Sequence, residues 1–449
     1  MPVTFNIDTN SYEGEILTGT SLPRFDFSVF GGLITNNADI AGAVTANSDA
    51  NIEITNTLNG TISRAAGSPF AVNLMGNGAR TFTNEGVITG NARFGSGADS
   101  FNNDGVLYGR LDMGAGNDVL INRIIASGGA DTTGTITGTV DMGDGDDVVG
   151  NTGLLSNVLL GEGNDVYYGT GYTVVDGTSD GQSGDVRGGS GNDTIGGGAA
   201  DDKFYGGDDN DLLVGYAGRD QLFGEDGDDI FWAGDGNDKI WGGVGNDTIL
   251  GEGNNDKIYG GDGDDLIYGG TGNDVIEGAD GFDRIASDAG NNRISGGAGR
   301  DWIDSGSGRD TMTGGDGADS FHFRGNTGRD VITDFGGEDE ILLLLPVYAL
   351  FGFDDILAHT EFSGGNAVID LSALLDAFSV YGPNPESGSV LTINNVAEGD
   401  LCPLYPSDPS EEEASGDPVW PRCINKKTQN SITTYTTHTQ HNERETTLP

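Results

Sequence analysis

Between residues 188 and 322 a nine-residue unit runs fifteen times without an insertion, from Gly188-Gly189-Ser190-Gly191-Asn192-Asp193-Thr194-Ile195-Gly196 to the unit Gly314 to His322. Position 6 is Asp in fourteen units and Asn292 in the other; position 8 is apolar in all, and position 4 is Gly in twelve. So short a unit cannot bury its apolar side chain alone, and stacked neighbours must supply the core. Residues 1 to 6 need conformations that Gly reaches cheaply, so they turn. Residues 7 to 9 form a short strand with position 8 inward and positions 7 and 9 outward. Two units make one coil, which predicts a right-handed roll of two small parallel sheets.

The position-6 residues then fall into two columns. One runs Asp193, Asp211, Asp229, Asp247, Asp265, Asp283, Asp301, Asp319; the other runs Asp202, Asp220, Asp238, Asp256, Asp274, Asn292, Asp310. Coils lie about 4.8 Å apart. Bare carboxylates at that spacing repel by roughly 1 kcal/mol in water, and by more where water is excluded. Such columns require cations. Carboxylates and turn carbonyls from adjacent coils form an all-oxygen donor set, which suits Ca²⁺ better than a softer metal.

At these residues the sequence resembles the RTX (repeats-in-toxin) family, whose Gly-Gly-x-Gly-x-Asp-x-apolar-x nonapeptide is a Ca²⁺-binding β-roll. The resemblance implies one ion between turns one coil apart, hence seven bridges in the first column and six in the second, up to about 13 ions in the regular roll. Asn292 departs from the pattern, as do Ala200, Asp209 and Asn254 at position 4.

Residues 36–187 carry a looser repeat, Asn-x-Gly-x-Ile-x-Gly followed by Gly-x-Gly-x-Asp, clearest at Asn84 to Asp99 and Asn103 to Asp118. Turns start at Gly76, Gly95, Gly114, Gly143, Gly161 and Gly189, at spacings of 18 or 19 residues broken by two of 28 and 29. The segment reads as an irregular parallel β-solenoid with loops near Ile121 to Gly134 and Thr170 to Gly184. Asp99, Asp118, Asp147 and Asp165 lead toward Asp193 and join the candidate metal ligands. Arg80 stands where the first turn would have Asp; neutralising Asp99 and lying on the surface are equally open roles.

The remaining segments are less regular. Residues 1–35 place Phe5, Ile7, Phe25, Phe27, Val29 and Phe30 at alternating spacing, as one or two strands capping the open end. Residues 323–401 keep strand patterning, and Gly328-Arg329-Asp330-Val331-Ile332-Thr333-Asp334-Phe335 resembles the segment after the repeats in serralysin-like exoproteins. That resemblance implies a C-terminal β-rich cap leading to a type I secretion signal. In residues 402–449 the composition breaks: one Gly, six Pro, and both cysteines, Cys402 and Cys423. We expect disorder there; a disulfide and two thiols are equally open. The fold expected is all-β throughout.

A formal charge of −50 repels nucleic acid and anionic membrane surfaces. No Sec leader is legible at the start, and the longest apolar run, Ile341 to Phe353, is too short to span a bilayer. His-Glu-x-x-His, Gly-x-Ser-x-Gly and P-loop patterns do not occur. Position 9 on one sheet reads Tyr205, Phe223, Trp241, Tyr259 beside Lys203, Gln221, Lys239 and Lys257. This row either stacks on sugar rings or stiffens the sheet, and the second is favoured. Leu212, Ile230, Trp232, Leu250 and Leu266 make an apolar outer row that should be covered by another element, a cell-surface partner or a second copy.

The expected function is a non-catalytic, extracellular calcium-binding protein of structural, surface or adhesive kind. It would leave a Gram-negative cell unfolded through a type I system and fold on meeting Ca²⁺. The alternative is an alginate-type epimerase or lyase on the solenoid face, using Tyr108, Tyr167, Tyr168 or Tyr172 with Arg93, Arg110 or Arg123; convergence of these in a cleft would favour it.

Overall fold

The computed structural model describes residues 51–344 apart from 59, 65, 126–131, 170–184 and 325–327; outside that span it describes 12–16, 25–26, 32–36, 39–40, 44–47, 49, 358, 360–363, 366–370, 390–394, 401–403 and 422–425. The chain is a parallel β-solenoid with a core about one side chain deep. Every inward position-8 residue of the roll, among them Ile195, Leu213, Phe231, Ile249, Ile267 and Phe321, is fully buried. Their outward neighbours are half-buried or exposed, as alternation requires.

Two sheets run along the rod. One stacks Ile52–Asn56, Arg80–Asn84, Ser100–Asn103, Val119–Asn122, Val148–Asn151 and Val166–Gly169, and then, from Thr194–Gly198, one strand of each roll coil. The opposite sheet stacks Val44–Asn47, Phe70–Met75, Asn91–Arg93, Leu111–Asp112, Val140–Asp144, Val158–Glu162 and Val186–Ser190 before entering the roll. The solenoid half has a third parallel sheet, built from Asp39–Ile40, Thr61–Ser63, Val87–Thr89, Val106–Tyr108, Thr135–Ile136 and Leu154–Leu155. So the cross-section is three-sided through residue 162 and two-sided in the roll.

The third sheet accounts for the Asn-x-Gly motif. At the corner that opens it, a buried amide ladder passes from Asn56 to Asn84, Asn103, Asn122 and Asn151, each Nδ2 donating to the next Oδ1 at 2.8–2.9 Å. Neutral amides donate and accept, so this column satisfies itself without ions. The glycine two residues on lies under the coil before it: a Cβ on Gly105 would strike the Gly86 carbonyl, and one on Gly153 the Gly134 carbonyl. Between Asn122 and Asn151 the chain leaves the coil as a small antiparallel hairpin, Ile124–Ile125 with Thr132–Thr133, and re-enters in register. The second expected loop, Thr170 to Gly184, lies outside the described residues.

The structure bears on three of the less regular segments. Tyr12–Ile16 pairs in parallel with Gly32–Asn36, which pairs with Ile52–Asn56, so these two strands stack on the same sheet as the solenoid. Phe5 and Ile7 lie outside the described residues. At the other end parallel stacking gives way to antiparallel strands: Asn366–Asp370 lies between Thr360–Ser363 and Val390–Ile393. The expected strand at Phe353 to Leu357 lies outside the described residues. Within the tail expected to be disordered, Arg422–Asn425 pairs antiparallel with Leu401–Pro403 and with Glu340–Leu342. That register sets Cys423 opposite Pro403 and Cys402 opposite Ile424, one rung apart.

Candidate metal centre

Each expected column exists as a backbone-to-side-chain ladder. In the first, the N–H of Asp193 donates to Oδ1 of Asp211 at 2.7 Å, and the pattern repeats through Asp229, Asp247, Asp265, Asp283, Asp301 and Asp319. In the second it runs from Asp202 through Asp220, Asp238, Asp256, Asp274 and Asn292 to Asp310. The first column also extends backward through Asp165, Asp147 and Asp118 to Asp99. All eighteen candidate aspartates are buried, at 6 % exposure or less. The corners are therefore interior walls rather than wet edges.

Only one carboxylate oxygen is used by the ladder. Asp99 and Asp202, which head the two columns, also accept a turn N–H on Oδ2, from Gly95 and Gly198. In the other sixteen, Oδ2 is buried with no hydrogen-bond partner among the described residues. An ionised oxygen left so costs several kcal/mol unless a cation meets it. Burial pushes these acids upward: Asp118, Asp211 and Asp256 to about 8, and Asp147, Asp193, Asp220, Asp247 and Asp265 to about 7. The ladder N–H pulls each down, and neighbouring carboxylates push several further up. The other ten rise to about 6, so near neutral pH the columns mix protonated and ionised carboxylates unless metal ions fill them.

The surroundings of Oδ2 select an oxygen-seeking cation. A Cβ built on Gly188, at position 1, would collide with both Asp193 Oδ2 and the Gly206 carbonyl of the next coil. Gly224 has the same relation to Asp229 and Gly242, and Gly242 to Asp247 and Gly260. Glycine thus leaves a cradle on which a carboxylate oxygen and a carbonyl oxygen from successive coils converge. No group of three or more His, Cys, Asp or Glu side chains poised for a metal occurs among the described residues. The donor set is carbonyl-rich, so side-chain clustering is the wrong signature for it. Hard oxygen donors of this kind fit Ca²⁺.

The departures from the repeat resolve individually. Asp209 and Asn254 take the left-handed conformation of position 4, with φ of 76° and 77°, which short polar side chains tolerate. Asn292 keeps the ladder by accepting from Asp274 N–H at 2.9 Å, but its Nδ2 donates to Ser287 Oγ at 3.0 Å. That turn is satisfied without charge and offers no bare oxygen. Ala200 lies in the first turn of the second column, headed by Asp202. Two ligand candidates escaped the sequence reading: Asp339 accepts from Asp319 N–H and Asp330 from Asp310 N–H, extending each column by a coil. Their spacing of 20 residues hid them from a strict period of 18. Arg80 is buried, at 1 % exposure, which settles its place in the interior.

The outer faces are simpler. Tyr205, Phe223, Trp241 and Tyr259 stack on one another, with centroids 4.4–5.8 Å apart and planes within 11°. Arg187 covers the free end of Tyr205 at 3.8 Å. Ring faces engaged this way are not offered to sugars. On the opposite sheet Ile230 and Trp232 are exposed, at 43 % and 48 %, whereas Leu212, Leu250 and Leu266 are half-buried. The residues of the enzymatic alternative do not converge. Arg93 lies over Phe70 and bonds Asn73, Arg110 pairs with Asp141, and Arg123 pairs with Asp104. Tyr167 is core, Tyr108 and Tyr168 are exposed on different sheets, and Tyr172 lies outside the described residues. No helix among the described residues is long and apolar enough to cross a membrane.

A search of curated proteins finds no match. Among solved structures, a hyperactive, Ca²⁺-dependent, β-helical antifreeze protein from an Antarctic bacterium aligns at 23 % identity over 70 % of this chain and 84 % of its own, with a TM-score of 0.36. The extracellular lipase LipA from Serratia marcescens aligns at 17 % identity over 52 % of this chain and 43 % of its own, with a TM-score of 0.17. The family model of the RTX calcium-binding nonapeptide repeat matches six overlapping or successive stretches between residues 180 and 343. The cradled Asp columns and that match together identify residues 180–343 as RTX calcium-binding nonapeptide repeats.

Proposed function

We propose that this protein is a non-catalytic, extracellular structural or adhesive rod whose roll assembles when Ca²⁺ fills the two Asp columns. The observation that carries the reading is the row of buried Oδ2 atoms without hydrogen-bond partners, which make the fold costly until cations arrive. Ca²⁺ supplies charge neutralisation when bound. Asp193 to Asp339 and Asp202 to Asp330 would hold it, together with position-1 carbonyls. Cytosolic Ca²⁺ is scarce, so the chain is unfolded where it is made; binding energy becomes folding energy outside. A formal charge of −50 strengthens that dependence by self-repulsion. Repeats of this kind are typical of secreted proteins, which supports export, and a type I route suits a chain that folds only after passage. The half-buried row Leu212, Leu250 and Leu266 with exposed Ile230 and Trp232 offers a modest contact face for a second copy or a cell-surface partner.

Circular dichroism of the full chain tests the reading. Chelator should abolish most β-signal, and millimolar Ca²⁺ should restore it cooperatively. A chelated chain with an unchanged spectrum at pH about 8 would overturn it.

A further inference from the structure

Residues N-terminal to 180 lie outside the family match, yet the first column does not stop there. We propose that its cation sites continue into the three-sided solenoid at Asp118, Asp147 and Asp165, and end against Arg80, whose guanidinium is a fixed terminal cation. The inference rests on the calcium reading of the roll and extends it to a different coil type.

Three observations carry it. First, Oδ2 of Asp118, Asp147 and Asp165 is buried without a hydrogen-bond partner, as in the roll, and these residues are at most 1 % exposed. Second, the turns stack as they do in the roll. The N–H of Gly116 donates to the Asp144 carbonyl and that of Gly145 to the Glu162 carbonyl. In the roll Gly245 and Gly263 donate in the same way to Asp262 and Asp280. Third, the column begins with a cation already in place. Arg80 occupies position 6, its N–H donates to Asp99 Oδ1 at 2.6 Å, and its Nη2 donates to the Met75 carbonyl at 2.8 Å. Met75 is position 1 of that turn, the rank whose carbonyls converge with Oδ2 in the roll.

The solenoid sites differ in one respect. Position 1 there is Phe94, Met113, Met142 or Leu160, all buried, instead of glycine. Each site therefore has an apolar wall on its inner side. On the corner opening the third sheet the amide ladder needs no ion, so the solenoid carries cations along one edge, whereas the roll carries them along two.

The test is the Ca²⁺ content of the intact protein, read by native mass spectrometry and elemental analysis. Asp→Asn keeps the ladder acceptor, and Asn292 shows that the fold accommodates it. The pair Asp118→Asn and Asp147→Asn touches three bridges, 99–118, 118–147 and 147–165, and should lose about three ions. The pair Asp247→Asn and Asp265→Asn touches 229–247, 247–265 and 265–283 and should also lose about three. Loss from the second pair alone overturns this inference and leaves the roll reading intact; loss from neither overturns both. Anomalous scattering at a long wavelength from crystals of the unaltered protein, grown with Ca²⁺, checks the same point without mutation. Peaks beside Asp118, Asp147 and Asp165 support the continuation. Peaks confined to Asp193 onward overturn it.

Discussion

Each nonapeptide places three separate demands on its residues, and substitutions should separate them. Position 1 is glycine in twelve units, where it leaves room for Oδ2 and a carbonyl from the next coil, and Ala233, Ser287 or Ser305 in the other three. Gly242→Ala would drive a methyl group into Asp247 Oδ2 and the Gly260 carbonyl. We expect a loss of about 1–3 kcal/mol in thermal or urea unfolding at saturating Ca²⁺. Position 2 asks for something else, a left-handed backbone. Tyr216, Glu225, Glu252, Ala279 and Asp288 hold it with φ of 55–88° despite their side chains. Glu225→Gly should therefore stabilise by about 0.5–1 kcal/mol and leave the ion count unchanged. If the two substitutions had the same sign, backbone conformation and cradle space would not be distinct requirements. Position 6 supplies the charge, and Asn292 marks the one turn of the roll where an amide replaces it.

Packed elements contribute where ions do not. The stack of Tyr205, Phe223, Trp241 and Tyr259 joins four successive coils of one sheet through ring faces. Removing its centre with Trp241→Ala should cost about 1–2 kcal/mol, more than the loss of one cross-strand pair, because two stacked contacts go at once. The matching measurement is a calcium titration of unfolding: the midpoint in Ca²⁺ should rise while the number of ions stays the same. The roll's strands and Asp columns were legible in the sequence because fifteen units carry no insertion, so the period fixes which side chain faces in. The third sheet was not, because its strands, such as Val87–Thr89 and Leu154–Leu155, are only two or three residues long. Nor was the Asn ladder, since a hairpin separates Asn122 from Asn151. The first strands, at Tyr12 and Gly32, lack the Gly-x-Gly-x-Asp turn and could be recognised only by their pairing.

As a whole the rod joins folding, calcium and pH. A buried Asp whose pKa is raised in the metal-free fold binds its proton more tightly folded than unfolded. It therefore favours the metal-free fold below its ordinary value near 4, and that contribution is lost as pH rises through the raised value. For Asp147, Asp193, Asp247 and Asp265 the loss begins above about 4 and is complete near 7, and for Asp118, Asp211 and Asp256 near 8. Calcium works in the opposite direction: it binds the carboxylates that the protons leave, so its apparent affinity rises across the same window. Chelated protein should thus keep much of its β-signal at pH about 5.5 and lose most of it at pH about 8, while calcium-saturated protein should be stable at both. Binding at pH about 7 should release protons, measurable as a dependence of the calorimetric heat on buffer ionisation enthalpy. A chelated chain more stable at pH about 8 than at 5.5 would mean that these carboxylates are ionised and satisfied without metal, and the columns would then need a different explanation.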